Sequence, residues 1–203
     1  MGKSKELATF TDAGGTLSGN LTFDSTNPSI VLGADNNQRS YIQRYSDDLY
    51  IYNKEAAGDV YLGSANTTRM TIDASGRVTM PYQPAFYVRK SGGSGLSSGV
   101  QAWNYTSLNV GSHFNLSLGR FTAPINGKYL FGLMLLNAFA GTNSSYLRKN
   151  GSVISDIIYH QHYDGPMSTT VILPLVAGDY VEAWTYRNVY NSNYGDFSGY
   201  LIG

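Results

Sequence analysis

Apolar and polar residues alternate along the first part of this chain in stretches of about four or five residues, each bounded by Gly, Asp, Asn or Ser. LSGNLTF (17–23) places Leu17, Gly19, Leu21 and Phe23 on one side. LYIYN (49–53), VYLGS (60–64), MTIDASG (70–76) and RVTM (77–80) follow at a spacing of about ten residues, which is the rhythm of short antiparallel strands. Such strands bury little by themselves, and one copy of this region has a thin core. Three copies wrapped around a common axis would not. At the very start, KSKELATF suits one helical turn that TDAGG ends.

The pattern changes after PYQPAF (81–86), whose two prolines stop sheet ladders and fix extended backbone. The pattern therefore divides the chain into a segment 1–16, a thin β-rich region 17–84 and a second unit 85–203. In the second unit SGGSGLSSG (91–99) reads as a flexible loop. Asn126-Gly127 is a hairpin signal, expected to join a strand carrying Phe121 to one starting at Tyr129. That second strand is apolar on both sides, with Tyr129, Phe131, Leu133 and Leu135 on one and Leu130, Met134 and Leu136 on the other. An antiparallel strand ordinarily buries one side. Two apolar sides predict that one fills the core and the other meets another subunit. VILPLVAGDYVEAW (171–184) gives two strands around an Ala-Gly-Asp turn, and FSGYLIG (197–203) a last one.

Composition narrows the class. Of 203 residues, 14 are Lys or Arg and 14 Asp or Glu, so the formal net charge is zero. Nucleic-acid binders carry a basic excess, and this chain does not. With 42% hydrophobic residues it is no disordered tail, and its 17 Tyr and 23 Gly suit strands and turns. The expected class is all-β. Without cysteine there is no disulfide and no thiolate metal site, so stability must come from the core or from partner chains. MGKSKELATF holds no apolar signal core, and the longest apolar run, residues 130–136, is too short to span a bilayer. Neither membrane insertion nor a nucleic-acid partner is expected.

The positions Trp103, Asn109, Phe114, Phe121, Gly127, Tyr129 and Phe131 carry a resemblance. Their types and offsets resemble the signature of the C1q globular domain, the trimeric jelly roll related to tumour necrosis factor. Trp103 stands where that family usually has Phe, and Leu133 where it usually has an aromatic; both exchanges are apolar. LRKNG (147–151), LPLVAGDYV (173–181) and FSGYLIG extend the likeness from Ala85 to the end. It implies a ten-strand antiparallel jelly-roll head, a homotrimer, with Trp103, Phe114, Phe121, Tyr129, Phe131, Leu133 and Leu135 serving core or trimer. Residues 1–80 resemble linking segments of bacteriophage fibre proteins, particularly those of phages of marine cyanobacteria. That likeness implies a virion fibre or appendage on tail or head, made in the host cytoplasm and attached to other virion proteins through residues 1–16. Alternatives are a purely structural decoration of the particle and a secreted C1q-like lectin.

Candidate chemistry is sparse. His160 and His162 would share a face if on a strand, and three copies about an axis would offer six nitrogens to a transition metal. They equally suit solvation, or bonding to Asp156 or Asp164, so no metal or other cofactor is assigned. Asp47 and Asp48 are adjacent and face opposite ways on a strand, while Asp156, Asp164, Asp179 and Asp196 are scattered. No pair of carboxylates and no nucleophile elbow is evident, so no enzyme is expected. GGSGLSSG lacks the Lys-Ser/Thr ending and following helix of a phosphate loop. Three loops mix Tyr with Asn and Ser, as antibody paratopes do. They are NAFAGTNSSY (137–146), YHQHYDGP (159–166) and YRNVYNSNYGD (186–196). From them Tyr159, His162, Tyr163, Asp164, Tyr186, Tyr190, Asn193 and Tyr194 are candidates for contacting a host cell-surface glycan or protein.

Overall fold

The computed structural model describes residues 26, 29–32, 40–93, 95–160 and 165–203, with the side chains of 29, 31, 32 and 155–160 outside the description. The expected strand at 17–23 and the segment 1–16 lie outside the described residues. The chain divides into two compact units, Met1–Thr79 and Met80–Gly203.

The first unit holds two small antiparallel sheets. One orders β1 (Ser29–Leu32), β2 (Ser40–Tyr45) and β3 (Asp48–Asn53); the other orders β4 (Val60–Ser64), β5 (Thr67–Ile72) and β6 (Val78–Thr79). Ala65 and Asn66, at φ 49° and 55°, make the two-residue turn between β4 and β5, whose backbone twist suits a tight hairpin. In the first sheet Ile30, Ile42 and Ile51 stand side by side across three strands. All three are exposed, at 42%, 40% and 53%. Tyr41 and Tyr52 pair on the other side with ring centroids 5.3 Å apart, and Tyr50 stacks on Tyr52 at 5.7 Å.

The second unit is a two-layer antiparallel sandwich. Its first sheet runs β15 (Pro166–Leu175), β12 (Gly127–Leu136), β17 (Gly195–Leu201), β7 (Ala85–Arg89), β9 (Tyr105–Asn109). Its second runs β10 (Phe114–Asn115), β11 (Arg120–Thr122), β16 (Tyr180–Tyr190), β13 (Asn143–Lys149), β14 (Ser152–His160). One edge of β16 pairs in succession with β11 and with β8 (Leu96–Val100). The described residues of the second unit thus form eleven strands rather than the expected ten. Alternate residues point between the layers, and there Phe86, Phe114, Phe121, Phe131 and Phe197 meet, with Phe86 4.7–5.1 Å from three of the other rings.

Two expectations are corrected. Asn126-Gly127 is not a hairpin turn. β11 pairs with β10 and β16 in one sheet, and β12 with β15 and β17 in the other, so the segment between them crosses layers. Asn126 Oδ1 accepts the Ala177 N–H at 2.8 Å, fastening this crossing to the neighbouring one between β15 and β16. Gly127 is needed for closeness: a Cβ there would stand 2.6 Å from Leu201 Cδ1 and 3.2 Å from the Gly203 carbonyl oxygen. The Asn-Gly hairpin lies elsewhere, at Asn150-Gly151, where φ of 51° and 78° joins β13 to β14 with Lys149 opposite Ser152. The second correction concerns residues 91–99. Their latter part is β8, because Ser97 turns inward to bond Gln101 Oε1 at 3.0 Å and Asn191 Oδ1 at 2.7 Å.

Candidate functional site

β12 separates its two sets of side chains as its pattern requires. Tyr129, Phe131, Leu133 and Leu135 are buried between the layers, and Tyr129 donates its hydroxyl to the Ile125 carbonyl at 2.8 Å. Leu130 faces out and is 37% exposed. Strand register sets Ile172 on one side of Leu130 and Tyr200 on the other, and pairs Tyr87 with Leu108 two strands further on. All five are exposed, and with Ala85 most of them line a groove of about 370 Å³. This is an apolar face across five strands. At its far end Asp196 of β17 lies opposite Arg89 of β7, whose guanidinium rests over the Tyr105 ring at 4.2 Å. Burial pushes the Asp196 carboxyl above the usual carboxylate range.

The outer side of the other sheet is different. Trp184 stands between Tyr146 and Tyr186, with centroid separations of 5.3 and 6.3 Å. Arg148 and Glu182 form an ion pair at 3.5 Å beside them. Between Thr185 and Val189 the pairing of β16 with β8 is irregular, and Tyr186, Arg187 and Asn188 are all exposed in sequence. A bulge of this kind re-aims side chains. Here it lays the Arg187 guanidinium 4.8 Å from the Tyr186 ring and 4.9 Å from the Phe139 ring.

The proposed contact residues separate. Tyr186 and Tyr194 are exposed, at 59% and 50%, and Tyr194 meets Tyr190 edge-on at 6.0 Å. Asn193 is used for structure: at φ 55° its Oδ1 accepts the Gly92 N–H at 3.1 Å. Tyr159 and His160 end β14, opposite Ser144 and Asn143, but their side chains lie outside the description, as do His162, Tyr163 and Asp164 altogether. The paired-histidine site therefore falls outside the described residues, among which no three His, Asp or Glu gather as for a metal. Trp103, Phe114 and Phe121, like the four β12 residues, are buried in the core. Sequence reading missed Lys90. It is 3% exposed, and its ammonium is bonded to Asn191 Oδ1 at 2.9 Å, the Ala102 carbonyl at 3.3 Å and Ser97 Oγ at 3.4 Å. Burial without a carboxylate lowers its pKa to about 8.

The family model of the C1q domain matches residues 85–202. The chain belongs to the C1q domain family. Complement C1q tumor necrosis factor-related protein 6 of Rattus norvegicus is 34% identical over 106 residues, covering 47% of this chain and 40% of that protein. The chain thus spans less than half the length of that curated relative. The globular domain of zebrafish complement 1qA protein aligns over 60% of this chain and 98% of its own, with a TM-score of 0.50 and 20% identity, a likeness in fold. Murine APRIL aligns over 59% of this chain and 98% of its own at a TM-score of 0.47 and 15% identity. In the C1q domain described here, both exposed faces are therefore built on a known jelly-roll scaffold, and the function must be argued from those faces.

Proposed function

We propose that the protein is a non-catalytic homotrimeric recognition module, its C1q domain the recognition unit and its first unit a β-rich fibre segment. The observation that carries this reading is the apolar face centred on Leu130. A soluble domain seldom leaves so continuous an apolar face on a sheet whose opposite side already fills the core. A second and third copy of the same chain would cover it, and C1q domains typically assemble as trimers. The exposed Ile30–Ile42–Ile51 row of the first unit calls for the same kind of cover. The fibre setting follows the resemblance of residues 1–80 to phage fibre segments: residues 1–16 hold the particle and the head meets a host-surface glycan or protein. The rat relative favours a second reading, a secreted C1q-like protein; immunogold labelling of virions separates the two.

Two adjacent substitutions test the assembly. Leu130→Asp is expected to yield a folded monomer by light scattering, whereas Phe131→Asp, placed in the core, is expected to abolish folding. A Leu130→Asp protein with wild-type mass would refute the assignment of this face.

A further inference from the structure

We infer that the Trp184–Arg187 end of the C1q domain binds a carboxylate-bearing saccharide, with Arg187 reading the carboxylate and Tyr186 and Trp184 supporting the sugar ring. The inference deepens the recognition role proposed above and rests on it for its biological setting.

The backbone at this point is held from beneath. Asn143, fully buried, accepts the Arg187 N–H through Oδ1 at 2.8 Å and donates through Nδ2 to Asn137 Oδ1 at 2.8 Å and to the Asn188 carbonyl at 3.3 Å. The Asn188 carbonyl also accepts the Ala138 N–H at 3.1 Å. The guanidinium lies over two rings, 4.9 Å from Phe139 and 4.8 Å from Tyr186. Arg89 and Arg120 each rest on a single ring. Arg148, by contrast, is matched to Glu182 and Lys149 to Asp179. Arg187 has no carboxylate within ion-pair distance among the described residues. A stacked guanidinium keeps its N–H edge free, and that edge fits a carboxylate with two parallel hydrogen bonds. An exposed cation ordered by two ring contacts, with no carboxylate beside it among the described residues, is complementary to an anion, and the ordering lowers the entropic cost of binding.

The neighbouring surface says what carries the anion. Tyr186, 59% exposed, and Trp184 offer ring faces in steps of 5.3 and 6.3 Å from Tyr146, comparable with the width of a pyranose. Ring faces carry partial negative charge and suit the C–H face of a sugar. Successive rings are tilted by 47°, so they present a faceted strip along which more than one sugar ring can rest.

The test uses the full chain on an array of uronic-acid- and sialic-acid-containing oligosaccharides beside their methyl-ester forms, with calorimetry on the strongest binder. The wild-type protein is expected to retain carboxylated sugars at least tenfold more tightly than their esters. Arg187→Gln should lose that preference, Arg187→Lys should not restore it, and Tyr186→Ala should weaken acid and ester alike. The mass of each variant in the same buffer separates this result from a failure of assembly. No retained carboxylated saccharide, equal binding of the esters, or unaltered preference in Arg187→Gln overturns the inference. Should Arg187→Gln fail to assemble, Tyr186→Ala decides: undiminished binding overturns it as well.

Discussion

Asp179 sits at the corner between β15 and β16 and accepts hydrogen bonds from Lys149 Nζ at 2.8 Å, Asn150 Nδ2 at 2.7 Å and the Val176 N–H at 2.9 Å. Led by Lys149, these donors hold its carboxyl at about 2, against an ordinary 3.8. The folded protein therefore takes up this proton less readily than the unfolded chain. The resulting stabilisation is complete above pH 3.8 and is lost as the pH falls to about 2. Asp179→Asn should be the less stable protein at pH 7 and should converge on wild type near pH 2, read as urea midpoints. Parallel curves across that range would contradict this. A Gly-Asp pair in the sequence announces the turn, but the three donors come from one strand and two turns, which spacing along one chain does not reveal. Arg187 was hidden for a similar reason. The segment 186–196, recognisably rich in Tyr and Asn and expected as a loop, is mostly the end of β16 and the start of β17, and only the bulge in β16 shows that Arg187 lies against Tyr186 and Phe139.

Among the elements, β17 is the most exacting. It lies between β12 and β7, and its Phe197 and Leu201 are buried, at 0% and 4% exposure. Removing residues 197–203 takes away both ladders and two core side chains, so the truncated chain is expected to give no dispersed amide spectrum by NMR. A dispersed spectrum from the truncated protein would contradict the topology. The head strands β11, β12, β15, β16 and β17 were legible from their apolar residues, and β12 reveals both its faces, whereas the segments 137–146 and 159–166, read as loops, hold the start of β13 and the end of β14. Connections were less legible. Asn126-Gly127 and Asn150-Gly151 carry the same dipeptide, but only the second has both residues at positive φ. The first crosses between layers, because Thr122 pairs with Tyr180 while Gly127 pairs with Leu175. A dipeptide does not say which sheet its flanking strands will join. β8 was hidden by its glycines and serines, since its hold on β16 comes from backbone pairing and the inward Ser97 rather than from apolar alternation.

For the molecule as a whole, the two units share one physical shortage. The first exposes an aliphatic row, and the second exposes Leu130, Ile172 and Tyr200 side by side on adjoining strands. With no cysteine, neither unit has a covalent staple. Assembly of identical chains removes both apolar surfaces from water, at about 25 cal/mol per Å² covered. It also leaves the Trp184 and Arg187 surface, on the other sheet, open to a ligand. The most direct measurement is the mass of the full chain by sedimentation equilibrium over a range of concentrations. A trimer has about 66 kDa, three times the 22.1 kDa of the chain, and that mass is expected to persist on dilution. A stable mass of 22.1 kDa would contradict the account.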